Sequence, residues 1–194
     1  MAGIARYPYP YFEVCYLGHS LVTCDTLRPQ TEPVVGVNMD MIRRSGARVS
    51  QFFDYPEFQP VLRRRYNLVI VMLGGNDITD ATDPNKLTAD YLAVHQAIES
   101  YGAKCVLCTI EKRVYKEGHI HYVDPEAYRK VMNAVNRKLS RALKGKLILL
   151  GGRTYPLDLR TDGIHPNFEE RKHIWNKVVG AIKYHQEEWL KQFK

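Results

Sequence analysis

Apolar residues along the chain gather in short, nearly unbroken runs separated by segments with helical periodicity. FEVCYLG (12–18), VVGVNM (34–39), NLVIVMLGG (67–75), CVLCTI (105–110) and KLILLGG (146–152) are five such runs, each giving way to glycine or polar residues. Runs of Val, Ile and Leu of this length suit parallel strands covered on both faces. Between them, Asp83-Pro84 reads as a helix N-cap and first helical position, with Leu87, Tyr91, Val94 and Ile98 on one stripe and Gly102 as the stop. Asp124-Pro125 repeats the device ahead of Tyr128, Val131, Met132, Val135, Leu139 and Leu143. A last helix from about Phe168 buries Ile174, Val178, Ile182 and Trp189. The stretch from Val49 to Leu62 reads as helical although it carries Pro56 and Pro60. This alternation predicts an α/β, doubly wound three-layer sandwich on a five-stranded parallel sheet, with residues 1–194 as a single domain.

Such a sheet fixes where chemistry is expected, because ligands bind beyond the carboxyl ends of the strands, where the chain order reverses. After the first run comes Gly18-His19-Ser20, after the second Ser45-Gly46-Ala47, and after the third Gly74-Gly75-Asn76-Asp77. After the fifth, a loop ends in Asp162-Gly163-Ile164-His165-Pro166-Asn167. Serine, asparagine, aspartate and histidine therefore converge on one sheet edge.

These residue types suit acyl transfer. A serine hydroxyl needs a base to take its proton, and His165 is the candidate base for Ser20. Asp162 is placed to hold the other imidazole nitrogen. A tetrahedral oxyanion needs donors, for which the Ser20 N–H, the Gly46 N–H and the Asn76 side-chain amide are candidates. Each residue also has a bland role: Ser20 as a helix cap, Asn76 and Asp162-Gly163 in turns, His165 as a surface residue before proline. Jointly those roles require four unrelated coincidences at one edge.

Gly18-His19-Ser20-Leu21, Gly46, Gly74-Gly75-Asn76-Asp77 and Asp162-Gly163-Ile164-His165 resemble, in order, the four blocks of the SGNH, or GDSL, serine hydrolase superfamily. The resemblance implies a flavodoxin-like sheet and an esterase working through Ser20, His165 and Asp162, with Ser20, Gly46 and Asn76 as the oxyanion hole. Gly18, His19 and Asp77 are supporting residues on this reading, and neither metal nor cofactor is implied. The family usually has aspartate where this chain has His19. Valine at position 22 replaces the trailing glycine of a G-x-S-x-G elbow, which argues against the α/β-hydrolase family. A supporting role for His19 leads to the expectation that His19→Asp keeps kcat/KM within about tenfold. The compact, basic form also resembles esterase domains encoded by non-LTR retrotransposons, which implies an acetyl-ester or lipid substrate and a nucleoprotein context.

Charge widens the choice of partners. The net charge is +7, with arginines at 43, 44, 48 and 63–65. Such a surface attracts anionic lipid, nucleic acid or acidic substrates, or only keeps the protein solvated. The rival to an esterase is a catalytically weakened module of the same fold, whose His19 change reports lost catalysis and whose basic surface binds lipid or nucleic acid. Tyr7, Tyr9 and Tyr11 alternate with prolines and read as an extended segment packed on the domain. No apolar run approaches the roughly 18 residues of a membrane span, and the N-terminus lacks a signal-peptide core, so the expectation is a soluble, intracellular, cytoplasmic protein or an excised domain. Of four cysteines, Cys15, Cys24, Cys105 and Cys108, the last two form a CxxC inside a predicted strand. Residues three apart on a strand face opposite ways, which disfavours a shared metal. His119 and His121 lack a third ligand, and His95, His173 and His185 sit on predicted helices.

Overall fold

The five apolar runs carry five parallel strands: β1 (Phe12–Gly18), β2 (Val37–Arg43), β3 (Leu68–Met72), β4 (Lys104–Cys108) and β5 (Leu147–Ile148). They lie in the order β2-β1-β3-β4-β5 in a computed structural model that describes residues 10–22, 34–150, 160 and 162–194. Three helices pack on the sheet: α1 (Pro84–Ser100), α2 (Pro125–Ala142) and α3 (Phe168–Leu190). The run residues are unbroken because both faces are covered. Cys15, Leu17, Val69 and Val71 belong to the core shared with α1 and α2, whereas Val14, Tyr16, Ile70 and Met72 belong to the core under α3. Cys105 and Cys108 divide the same way, one in each core, and burial pushes both thiols upward in pKa. Cys24, Tyr7 and Tyr9 lie outside the described residues, and Tyr11 is exposed.

The helix starts follow the predicted chemistry. Asp83 accepts the Asn85 N–H at 2.9 Å, and Asp124 accepts the Ala127 N–H at 2.8 Å, each with proline beginning the helix. Two expectations differ from the structure. The second strand lies three residues later than VVGVNM suggests, because Gly36 turns at φ +74° and the Val37 N–H closes that turn on Val34. As an edge strand, β2 has a ladder partner on one side only among the described residues and tolerates Asn38 and Asp40. The stretch from Val49 to Leu62 is two short 3-10 helices, Val49–Asp54 and Gln59–Leu62, separated around Pro56.

The strand order places the site. From β1 the chain moves outward to β2, then returns to the other side of β1 as β3, so the strand order reverses between β1 and β3, the place where open α/β sheets bind ligands. No helix among the described residues is long and apolar enough to cross a membrane.

Candidate active site

At this sheet edge β1 ends in Gly18, where a Cβ would overlap the Met72 carbonyl and a Val22 methyl; glycine lets the ends of β1 and β3 approach. Beyond it the His19 N–H donates to the Met72 carbonyl at 3.1 Å and the Arg44 N–H to the Gly18 carbonyl at 3.0 Å. These bonds hold the turn that stands Ser20 out at the sheet edge, with its Oγ 3.1 Å from Nε2 of His165. On the far side of that ring, Nδ1 is 2.8 Å from Oδ2 of Asp162. The other Asp162 oxygen accepts the N–H groups of Ile164 at 2.8 Å and His165 at 2.9 Å. Burial alone would raise the Asp162 pKa; these two backbone bonds, with the bond from the imidazole, hold it at about 2. An ionised carboxylate on Nδ1 keeps the proton there and turns a lone pair toward Ser20.

Local sequence fixes that loop. Gly163 has φ +71°, and a Cβ on it would strike the Val114 carbonyl, while the Val114 N–H donates to the Gly163 carbonyl at 2.7 Å. Asn167 ends the loop by capping α3, its Oδ1 accepting the Glu170 N–H at 2.9 Å. His165 is thereby held between a fixed turn and a helix start.

The candidate oxyanion donors meet at the neighbouring strand ends. Gly46 turns at φ +73°, and neither its N–H nor that of Ser20 has a hydrogen-bond partner among the described residues. The Asn76 Nδ2 donates to the Ala47 carbonyl at 2.9 Å, tying the β3 loop to the β2 loop. Asp77 strengthens the tie by accepting the Val49 N–H at 2.9 Å and the Ser50 N–H at 3.0 Å. Burial raises the Asp77 pKa against the pull of those bonds. Because one Asn76 amide hydrogen remains after the bond to Ala47, Asn76→Ala should lower kcat about a hundred- to a thousandfold with KM nearly unchanged. Steady-state kinetics on an activated ester checks this; unchanged kcat with a lowered melting temperature would reduce Asn76 to a tie between loops.

Two residues that the sequence reading did not single out lie just beyond β4. Glu111 and Arg113 are 7% and 4% exposed, values that place two opposite charges inside the protein. Glu111 Oε1 accepts from Arg113 Nε at 2.9 Å and from Nη2 at 2.7 Å. Burial would raise the Glu111 pKa, but the charge of Arg113 holds it well below the usual carboxylate range. The signal was available: the strand-end rule applied to β4 picks out Glu111-Lys112-Arg113. Gly75 belongs to the same arrangement, since its missing Cβ leaves the space occupied by this pair.

His19 is fully buried, with Nδ1 accepting the Leu21 N–H at 3.2 Å. That bond puts the ring proton on Nε2, which faces Glu111 Oε1 at 3.5 Å as an electrostatic contact. An aspartate at position 19 would set a second carboxylate against Glu111, a cost in stability distinct from the expected mild effect of His19→Asp on kcat/KM. Two neighbouring carboxylates raise one pKa, so the variant's stability should be lost as pH rises. The melting-temperature gap to wild type should therefore widen from pH 5 to pH 8; a gap independent of pH would mean that the carboxylates do not meet.

The His119 and His121 rings lie 5.9 Å apart between centroids, tilted by 53°, and the described residues contain no group of three or more His, Cys, Asp or Glu placed to hold a metal ion. His95 is buried on α1, and His173 and His185 lie on α3.

The model of the GDSL-like lipase/acylhydrolase family matches residues 24–169, a span that includes Asn76, Asp162 and His165 and begins just after Ser20. No match was found among curated protein sequences. Solved structures share the fold. A protein described as an SGNH hydrolase from Slackia heliotrinireducens superposes with a TM-score of 0.68 at 15% identity, covering 89% of this chain and 99% of that one. An acetyl xylan esterase gives 0.63 at 20% identity, covering 88% and 99%. A carbohydrate esterase of family 3 from Talaromyces cellulolyticus gives 0.64 at 15% identity, covering 91% and 99%.

Proposed function

On the premise that this chain belongs to the GDSL-like lipase/acylhydrolase family, we propose that it is a serine esterase acting on short acyl esters. The observation that carries this reading is the relay from Asp162 through His165 to Ser20, with contacts of 2.8 Å and 3.1 Å. In the forward step Ser20 Oγ bonds to the ester carbonyl carbon as its proton passes to His165 Nε2. The carbonyl oxygen takes the electron pair and draws on the N–H groups of Ser20 and Gly46 and on the Asn76 amide. Collapse breaks the bond to the alcohol, which leaves with the proton from His165. Water then attacks the acyl-serine by the same path, with its proton going to His165 and returning to Ser20, and releases the acid.

Acetyl-sized groups are the favoured acyl chains, in keeping with the acetyl xylan esterase among the chains of similar fold; a lipid ester is the other substrate class. The binding-module alternative, set in a retroelement nucleoprotein, rests on His19 in place of the family's aspartate and on the basic surface. That surface is partly neutralised, since Arg44 contacts Glu57, and Arg64 contacts Glu13 and Asp40. Hydrolysis of p-nitrophenyl esters of increasing chain length, with fluorophosphonate labelling, tests the proposal. Turnover that falls from acetate to octanoate, with label on Ser20, is the expected result. No turnover of any ester and no label at Ser20 would favour the binding module.

A further inference from the structure

Asparagine is an awkward oxyanion donor, because its amide has two nearly isosteric ends of opposite polarity. Turned one way it offers N–H to the developing negative charge; turned the other it offers a carbonyl oxygen, which repels that charge. Asn76 is clamped at both ends. Its Nδ2 meets the Ala47 carbonyl at 2.9 Å, a partner that only accepts. Its Oδ1 meets Arg113 Nη1 at 2.8 Å, a partner that only donates. A flip would set carbonyl against carbonyl and amide hydrogens against guanidinium hydrogens, breaking both bonds at once.

The guanidinium is itself fixed. Glu111 Oε1 takes its Nε and Nη2, and Nη1 also reaches the Tyr115 hydroxyl at 3.2 Å. The backbone beneath is tied down on both sides of Glu111. Asn136 brackets Ile110 by accepting its N–H at 2.8 Å and donating to its carbonyl at 3.0 Å, and the Tyr128 hydroxyl donates to the Glu111 carbonyl at 3.0 Å. One residue past Arg113, Val114 pairs with Gly163 in the loop that carries Asp162 and His165. The segment 110–114 therefore spans from the oxyanion asparagine to the acid and base.

Stability does not account for the buried pair. An ion pair out of water roughly breaks even with apolar side chains of the same volume, and here Glu111 Oε2 has no hydrogen-bond partner among the described residues. Building on the esterase reading, we propose that Arg113, anchored by Glu111, is a positioning residue that locks the Asn76 amide in the orientation presenting N–H to the oxyanion. Arg113 touches no reacting atom. Its effect passes through Asn76 and should vanish when Asn76 is absent.

The test is a double-mutant cycle on p-nitrophenyl acetate with the full chain. Arg113→Lys keeps the charge but cannot serve Glu111 and Asn76 together from one planar fork. It should lower kcat about ten- to a hundredfold with KM within about twofold, and by less than about threefold in an Asn76→Ala background. Equal losses in both backgrounds, or no loss in either, would overturn the proposal. Should Arg113→Lys fold poorly, the Glu111→Leu/Arg113→Met pair removes both charges together. That variant should melt near wild type yet show the same kcat loss, and full activity in it would count against the lock.

An NMR readout separates this proposal from the esterase reading. The Asn76 side-chain amide pair, assigned by its disappearance in Asn76→Ala, should be sharp and slow to exchange in wild type and broadened in Arg113→Lys. If the wild type hydrolyses no ester, the esterase reading fails while these signals still decide the lock. If they are identical in both proteins, the lock fails even in an active esterase.

Discussion

Replacing Ser20 with alanine should remove about a millionfold in kcat, because nucleophile and base act as one unit and the loss of either forfeits the joint effect. His165→Ala should cost nearly as much, and the double variant little more than either single one. The same geometry predicts that Ser20→Ala leaves folding intact. A serine capping a helix lends its oxygen to a backbone N–H, and losing that bond costs about 1 kcal/mol. Ser20 Oγ instead contacts Nε2 of His165, the candidate base, and makes no bond to backbone among the described residues. The melting temperature should thus move by about a degree or two. Ester turnover and thermal unfolding on one preparation check both halves. Wild-type-like turnover in the alanine variant would remove Ser20 from the chemistry.

The sheet was legible because burial on both faces leaves a one-dimensional trace. Residues of β3 from Leu68 to Met72 are all buried, so no polar residue interrupts the run. The same logic misplaced β2, an edge strand whose mixed burial admits Asn38 and Asp40 and whose start is set by the Gly36 turn. Helix caps at Asp83 and Asp124 were readable because their chemistry is local: a carboxylate and the N–H two or three residues on. The bonds of the site join residues far apart in sequence, Ser20 with His165 and Asn76 with Arg113, which no local pattern encodes. They became candidates only through the rule that strand ends converge. Glu111 and Arg113 stayed hidden for a further reason. Charged residues in a loop normally face water, and nothing in Glu111-Lys112-Arg113 shows that the outer two are buried against Gly75 while their charges cancel.

Asp162→Asn should lower kcat about ten-thousandfold while leaving the backbone of the loop in place. The asparagine carbonyl oxygen can still accept the Ile164 and His165 N–H groups that now bond to Oδ1. Its amide nitrogen then faces His165 Nδ1 and donates where the carboxylate accepts. Nδ1 must become the acceptor, the ring proton moves to Nε2, and Nε2 can no longer take the proton of Ser20. The loss thus arises from the wrong tautomer, and KM should change little. Stability gives an independent check through pH. The Asp162 pKa of about 2 lies below the roughly 3.9 of an unfolded chain, so the carboxylate stabilises the fold above that unfolded value and ceases to as pH falls through the folded one. The melting-temperature difference between wild type and Asp162→Asn should therefore shrink as pH falls from about 5 toward 2. A difference that held level or grew across that window would mean that the carboxyl is protonated in the folded protein, and could not hold the imidazole in the orientation the esterase reading requires.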